Sequence, residues 1–237
     1  MVDLFPLTLR RATVKRRGQR LVGPIDHSFG PQGVTIIMGP NGAGKPTLLR
    51  LMHGLERAGG DMVQFACDPA QAHRQQSFVF QRPVMMRRSV AACIAYPLTL
   101  RGVARAAART KALDWAERMG LGAMADCPAA DLSAGEKQKL ALARALITKP
   151  SLLFLDEPCA NLDGRATRDI EEVLQATHQA GTRIIMATHD LGQARRLGTE
   201  VIFLLNGQVH ETGDAAAFFA GPQTREAQAH LRGDLIV

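Results

Sequence analysis

Residues Gly39 to Lys45 read GPNGAGK, a G-x-x-x-x-G-K spacing between an apolar run and a leucine-rich segment. Glycines at that spacing let backbone N–H groups converge on one anion. A helix starting there adds positive potential, and Lys45 reaches the terminal phosphates of a nucleotide. The candidate nucleotide contacts are Gly39, Pro40, Asn41, Gly42, Ala43, Gly44, Lys45, Pro46 and Thr47. A glycine turn with no ligand is the bland alternative, and three further segments count against it. LLFLDEP is an apolar run ending in Asp156 and Glu157. Acids at the C-terminal end of a buried strand lie where nucleotides bind in α/β sheets. Asp156 suits a Mg2+ ligand, through water, and Glu157 suits orientation or deprotonation of an attacking water. IIMATHD brings His189 to the same edge, in support of a γ-phosphate contact. Gln81 ends a third short run, where its amide either holds water or metal or is a solvated turn residue.

Such residues need strands that stop at one edge and helices that begin there. LTLRRATV and GVTIIMG have strand patterns, and KPTLLRLMHGL predicts a helix with Leu48, Leu51 and Leu55 along one side. QSFVFQ predicts a short strand ending at Gln81. From about Val90 to Ala130 the chain is rich in Ala, Leu and Arg and reads as helices with a stop at Gly120. DLSAGEKQKLALARAL predicts a capped helix. Beyond it, SLLFLDEP and TRIIMATHD read as buried strands, and RATRDIEEVLQATHQAG and LGQARRLG as helices. EVIFLLNGQVHETG predicts a hairpin turning at Asn206-Gly207. The alternation predicts an α/β domain with a mainly parallel sheet, and the Ala-rich insert a helical subdomain.

Bulk properties narrow the classes. The 237 residues are 46% hydrophobic and 22% charged, ordinary for a globular chain. No apolar run approaches the roughly 20 residues needed to span a bilayer. The stretch MVDLFPLTLRRATVKRR has its basic residues after its apolar ones and no small-residue cleavage site, so a secretory signal is not expected. Cys67, Cys93, Cys127 and Cys159 form no C-x-x-C pair, which argues for reduced structural thiols. The formal charge of +7 is concentrated at RRATVKRRGQR and QRPVMMRRS. Neither cluster has the interleaved aromatics of a single-strand nucleic-acid binder.

In order along the chain, GPNGAGKP, Gln81 in VFQRP, LSAGEKQ, LLFLDEP, ANLD and ATHD resemble six motifs of the ATP-binding-cassette (ABC) ATPases. These are Walker A, the Q-loop, the signature, Walker B, the D-loop and the switch histidine. The resemblance spans essentially the whole chain, and the signature is particular to that family among phosphate-loop proteins. It implies a single α/β domain over residues 1–237. Residues 1–81 and 133–237 would form a RecA-like phosphate-loop core with an antiparallel β subdomain, and residues 82–132 an inserted α-helical subdomain. ATP and Mg2+ are the implied cofactors, with Glu157, His189 and Gln81 catalytic and Asp156 and Gln81 on the metal. Ser133, Ala134, Gly135 and Glu136 of the signature would cap the γ-phosphate held by a second copy, in a head-to-tail homodimer. Asp163 is the D-loop acid.

The resemblance also implies transmembrane permease subunits docked near the groove after Gln81 and, indirectly, a periplasmic solute-binding protein. The chain would lie on the cytoplasmic face of the inner membrane. FQRPVMMRRSV and LDEPCANLDGRATRDIE look most like subunits that energise uptake of small oxyanions, tungstate or phosphate. One cassette without a long coiled-coil insertion does not fit the members that act on nucleic acid. The sequence closes with FFAGPQTREAQAHLRGDLIV, so no C-terminal regulatory domain is expected.

Three positions depart from the family pattern. Pro46 stands where a Ser or Thr hydroxyl would ligate Mg2+, and it also lacks the N–H that would donate to phosphate. A proline there is expected to push Lys45 out of helical dihedrals, although first-turn N–H groups have no intrahelical partners to lose. Thr47 keeps a hydroxyl, but about 100° further around the helix. Losing one charge-assisted hydrogen bond costs roughly 1.5–3 kcal/mol. The chain is thus either a working ATPase or an impaired nucleotide-binding partner of an intact cassette. Ala134 replaces a glycine of the signature, harmless if its φ is negative. Arg16 and Arg17 stand near where an adenine-stacking aromatic is usual, as stacking arginines or as a solvated basic turn.

Overall fold

The computed structural model describes residues 3–57 and 63–234. The chain opens with a hairpin, β1 (Leu7–Arg16) and β2 (Gln19–Phe29), followed by β3 (Val34–Met38) and α1 (Lys45–His53). Next come β4 (Val63–Gln64), α2 (Pro69–Gln75) and β5 (Gln76–Val79). Helices α3 (Val90–Leu100), α4 (Arg105–Arg118) and α5 (Ala134–Leu146) precede β6 (Leu152–Asp156) and α6 (Gly164–Gln179). The rest alternates as β7 (Arg183–Ala187), α7 (Leu191–Leu197), β8 (Glu200–Leu205), β9 (Gln208–Asp214), α8 (Ala215–Ala220) and α9 (Arg225–Arg232). Two sheets result. One is antiparallel, in the order β2-β1-β4, and the other runs β5-β6-β7-β3-β8-β9. All its pairings are parallel except β8 with β9.

The central strands VTIIM, LLFLD and RIIMA are buried at every position, as a parallel strand covered on both faces requires. Their side chains alternate between two cores. Ile36, Met38, Leu153, Leu155, Ile184 and Met186 pack with α3 to α6, while Ile37, Phe154, Ile185 and Ala187 pack with α1 and the β1–β2 hairpin. The sheet therefore holds the hairpin, α1 and α2 on one side and α3 to α9 on the opposite side.

Two local expectations need correction. Gly54, at φ 87°, ends α1 in a left-handed cap, so Leu55 falls beyond the helix and is 50% exposed. Leu48 and Leu51 are buried as expected. β5 stops at Val79, so Gln81 lies beyond the strand. The β8–β9 turn is at Asn206-Gly207, both at positive φ, as a two-residue type I′ turn needs.

At the opposite edge of the sheet from the candidate site, Arg183 is 3% exposed and donates to Glu200 Oε2 at 3.2 Å. The Thr35 hydroxyl donates to the same oxygen at 2.6 Å, and His27 Nε2 lies 3.6 Å from Oε1. His27, with Thr35 and Arg183, lowers the Glu200 carboxyl to about 2 against the opposing effect of burial. Its ionised form stabilises the fold fully above the unfolded value of about 4.3. That contribution is lost as pH falls toward 2. Glu200→Gln is predicted to lose about 2–3 kcal/mol at pH 7. Urea unfolding should show the gap from the parent closing below pH 4, and a gap independent of pH would contradict the assignment.

Candidate active site

The phosphate loop connects the last residue of β3 to the first turn of α1. Gly39 has φ 141°, and a Cβ there would lie 2.1 Å from the Leu204 carbonyl oxygen. Gly44 caps α1 at φ 98°, where a Cβ would lie 2.6 Å from Val22 Cγ2. Both positions therefore demand glycine on two grounds, conformation and space. The loop is held from outside as well. Gly207 N donates to Ala43 O at 3.1 Å, and Gly23 N donates to Gly207 O at 2.7 Å, so the β8–β9 turn ties the loop to β2.

Lys45 is 4% exposed, and its Nζ donates to the carbonyls of Gly39 at 2.7 Å and Pro40 at 3.2 Å. Burial lowers its pKa, and the charges of Glu157 and Asp156 oppose that fall. The ammonium is thus stored against its own loop, beside the acids. Pro46 is the second residue of α1, and Lys45 remains helical. The expectation that proline would push Lys45 from the helix is not met. The first helical bond, Leu48 N to Gly44 O at 2.9 Å, asks nothing of the missing Pro46 N–H. Thr47 is half-buried and makes no side-chain hydrogen bond among the described residues.

Asp156, the last residue of β6, is 2% exposed. Its Oδ2 lies 3.7 Å from Arg50 Nη2, and its Oδ1 has no partner. Burial raises its pKa, with Arg50 as the main counterweight. Arg50 escaped the sequence reading. The available signal was its place four residues after Pro46, on the same side of α1. An unpartnered buried carboxylate oxygen fits a cation, and Mg2+ commonly takes one or two carboxylates together with substrate phosphates. Pro46 offers that cation nothing. Among the described residues no group of three or more His, Cys, Asp or Glu side chains converges as a self-sufficient metal cage.

Glu157 follows in a left-handed conformation, φ 48°, fixed by its N–H donating to Ala187 O at 2.9 Å. Such a φ is uncommon outside glycine and costs about 1–3 kcal/mol. It turns the Glu157 side chain to His189, whose Nδ1 meets Oε2 in a close contact. His189 stands two residues past β7 and is exposed. The edge of β6, β7 and β3 therefore gathers Lys45, Asp156, Glu157 and His189. Gln81 is exposed and forms no side-chain hydrogen bond to that set.

The signature residues lie elsewhere. Ser133 caps α5 as half of a capping box with Glu136. Ser133, Ala134, Gly135 and Glu136 share a cleft of about 580 Å3 with Asn161, Asp163 and Arg165, and no phosphate-loop residue lines it. Ala134 is the first residue of α5 with no positive φ, so its methyl meets no conformational objection. Asp163 caps α6, accepting from the N–H groups of Arg165 and Ala166 at 2.9 and 2.8 Å. The Arg16 guanidinium is engaged by Glu56 at 3.1 Å, and Arg17 occupies the β1–β2 turn at φ 50°. A separate cleft of about 960 Å3 between α4, α5 and α6 contains none of the acids or the lysine of the loop edge.

Comparison with known proteins agrees with this geometry. The ABC transporter family pattern matches residues 22–160. The tungstate uptake system ATP-binding protein TupC of Peptoclostridium acidaminophilum is 38% identical over 188 residues, covering 78% of this chain and 86% of that one. The methionine import ATP-binding protein MetN of Staphylococcus saprophyticus is 31% identical, covering 99% of this chain and 72% of that one. The structure of cbiO1 from Clostridium perfringens, part of an ABC transporter complex, superposes with a TM-score of 0.80 at 25% identity, covering 97% and 96% of the two chains. With its phosphate loop, buried acid and helix-capping signature in the expected order, the chain belongs to the ABC transporter family as an ABC ATPase.

Proposed function

We propose that this chain is the ATP-hydrolysing subunit of an importer, peripheral on the cytoplasmic face of the membrane. The observation that carries the proposal is the gathering of buried Lys45, half-partnered Asp156 and the Glu157–His189 pair at one sheet edge. In this reading the loop N–H groups and Lys45 bind the phosphates, with Lys45 exchanging its loop carbonyls for phosphate oxygens. Asp156, through its unpartnered Oδ1, would hold Mg2+, which when bound would supply charge neutralisation to the phosphates. Glu157 receives the proton of the attacking water, and His189 holds that carboxylate and senses the γ-phosphate. Gln81, exposed beside the same edge, would report nucleotide state to a permease subunit. The domain division reads residues 82–132 as the helical subdomain that carries the permease contact.

No helix among the described residues is long and apolar enough to cross a membrane, so separate permease subunits suit the chain. The α5 N-terminus and the phosphate loop do not share a cleft within one copy, and a head-to-tail homodimer would bring them together. A small oxyanion of the tungstate or phosphate type is the favoured solute, supported by similarity to a tungstate system. A second reading, an impaired partner cassette, is favoured by Pro46 alone.

Magnesium-dependent hydrolysis by the natural chain and by Pro46→Ser tests the two readings. Turnover is expected in both, with Mg-ATP bound roughly 10- to 100-fold more tightly by the serine form. Turnover confined to Pro46→Ser would establish the impaired partner instead. Glu157→Gln should bind ATP as the parent does and lose at least about 100-fold in turnover. Undiminished hydrolysis would remove Glu157 from the mechanism. Lys45→Ala should abolish measurable binding of a fluorescent ATP analogue, and unchanged affinity would count against the loop as the site.

A further inference from the structure

Ser133 commits both of its donors to a residue within its own helix. Its backbone N–H and its hydroxyl donate to Glu136 Oε2 at 2.8 and 2.7 Å, and the Glu136 N–H donates back to Ser133 Oγ at 3.4 Å. A glutamine would close the same capping box without charge. Glutamate instead places a full negative charge on the positive end of a helix of 13 residues. The Ser133 hydroxyl and N–H keep that carboxyl below its ordinary range.

The cleft opening from this helix end carries Glu136, Asp163 and Asp169 against Lys139 and Arg165. Lys139 and Asp169 neutralise each other at 2.6 Å. That leaves Glu136 and Asp163 facing Arg165. An arriving polyphosphate therefore meets an engaged hydroxyl and no positive excess.

We propose that Glu136 is a positioning residue that holds the signature against premature closure, its carboxylate occupying the Ser133 hydroxyl until a γ-phosphate carried by a second copy displaces it. The inference rests on the head-to-tail reading given above. No covalent bond changes. The Ser133 O–H leaves Glu136 Oε2 and donates to a phosphate oxygen, and the released carboxylate remains beside the phosphate. Like charges so placed weaken the closed state. Each symmetric dimer contains the contact twice. After hydrolysis removes the γ-phosphate, Glu136 recaptures Ser133 and favours opening. The dimer of this chain is thus weaker than one with a neutral side chain at position 136.

The test compares Glu157→Gln, which conserves ATP, with the same chain also carrying Glu136→Gln. Sedimentation is run with Mg-ATP, with Mg-ADP and without nucleotide. The expected result is a fall of about tenfold or more in the dimer dissociation constant with ATP, and none with ADP, which brings no γ-phosphate. Glu136→Asp, which retains the charge, should dimerise no more tightly than the parent. A capping role alone would move the melting temperature and leave the contrast between ATP and ADP unchanged. An equal or weaker ATP dimer in the folded Glu136→Gln chain overturns the inference while the head-to-tail reading stands. Absence of any ATP-dependent dimer in either chain, with a fluorescent ATP analogue still bound, overturns both.

Discussion

The site depends on the parallel register of β6, β7 and β3. Asp156 pairs with Ala187, and Ala187 pairs with Ile37, so the three strands end level with one another. From that common edge the chain leaves in three directions: through the glycine loop to Lys45, directly to Glu157, and through Thr188 to His189. A slip of one residue in any strand would turn its side chains to the other face and separate the acids from the ammonium. Complete burial of the strands makes such a slip costly, because each face meets its own apolar core.

The charges at that edge are only partly balanced. Lys45 is held by two uncharged carbonyls, Asp156 has one oxygen 3.7 Å from the Arg50 guanidinium and one without a partner, and Glu157 meets His189. Unpartnered buried polar atoms cost on the order of 1–3 kcal/mol each. Such imbalance is a reason for the site to take up phosphates and a cation, which would satisfy what the chain alone does not. Pro46 fits this picture as a chemical loss with little structural cost. It occupies a helix position where no N–H is required for the fold, and it removes a hydroxyl that only a ligand would use.

The second charged centre, at the start of α5, has the opposite character. There Glu136 Oε2 takes up both donors of Ser133, and the Glu136 N–H returns to the Ser133 hydroxyl oxygen. One end of the cassette is therefore short of partners and the other is self-sufficient. A dimer that joins them must satisfy the first by disturbing the second, which is a physical basis for a closure that forms with nucleotide and reverses without it.

Much of this was legible in the sequence, for local reasons. Gly39 and Gly44, the apolar runs ending in Asp156 and near His189, the Ser133–Glu136 spacing and the Asn206-Gly207 turn each state a backbone requirement within a few residues. Where the reading failed, the deciding contacts were distant or small. Gly54 ended α1 before Leu55, and β5 stopped short of Gln81 once its pairing with β6 was complete at Val79. Only the tertiary structure paired Arg50 with Asp156, turned Glu157 into a left-handed conformation against Ala187, kept Lys45 helical despite Pro46, and showed Glu136 holding both donors of Ser133. Motif order was determined along the chain because each motif is a local backbone device. The balance of charge at each end was decided in space, because desolvation and partnering depend on what other segments bring within a few ångströms.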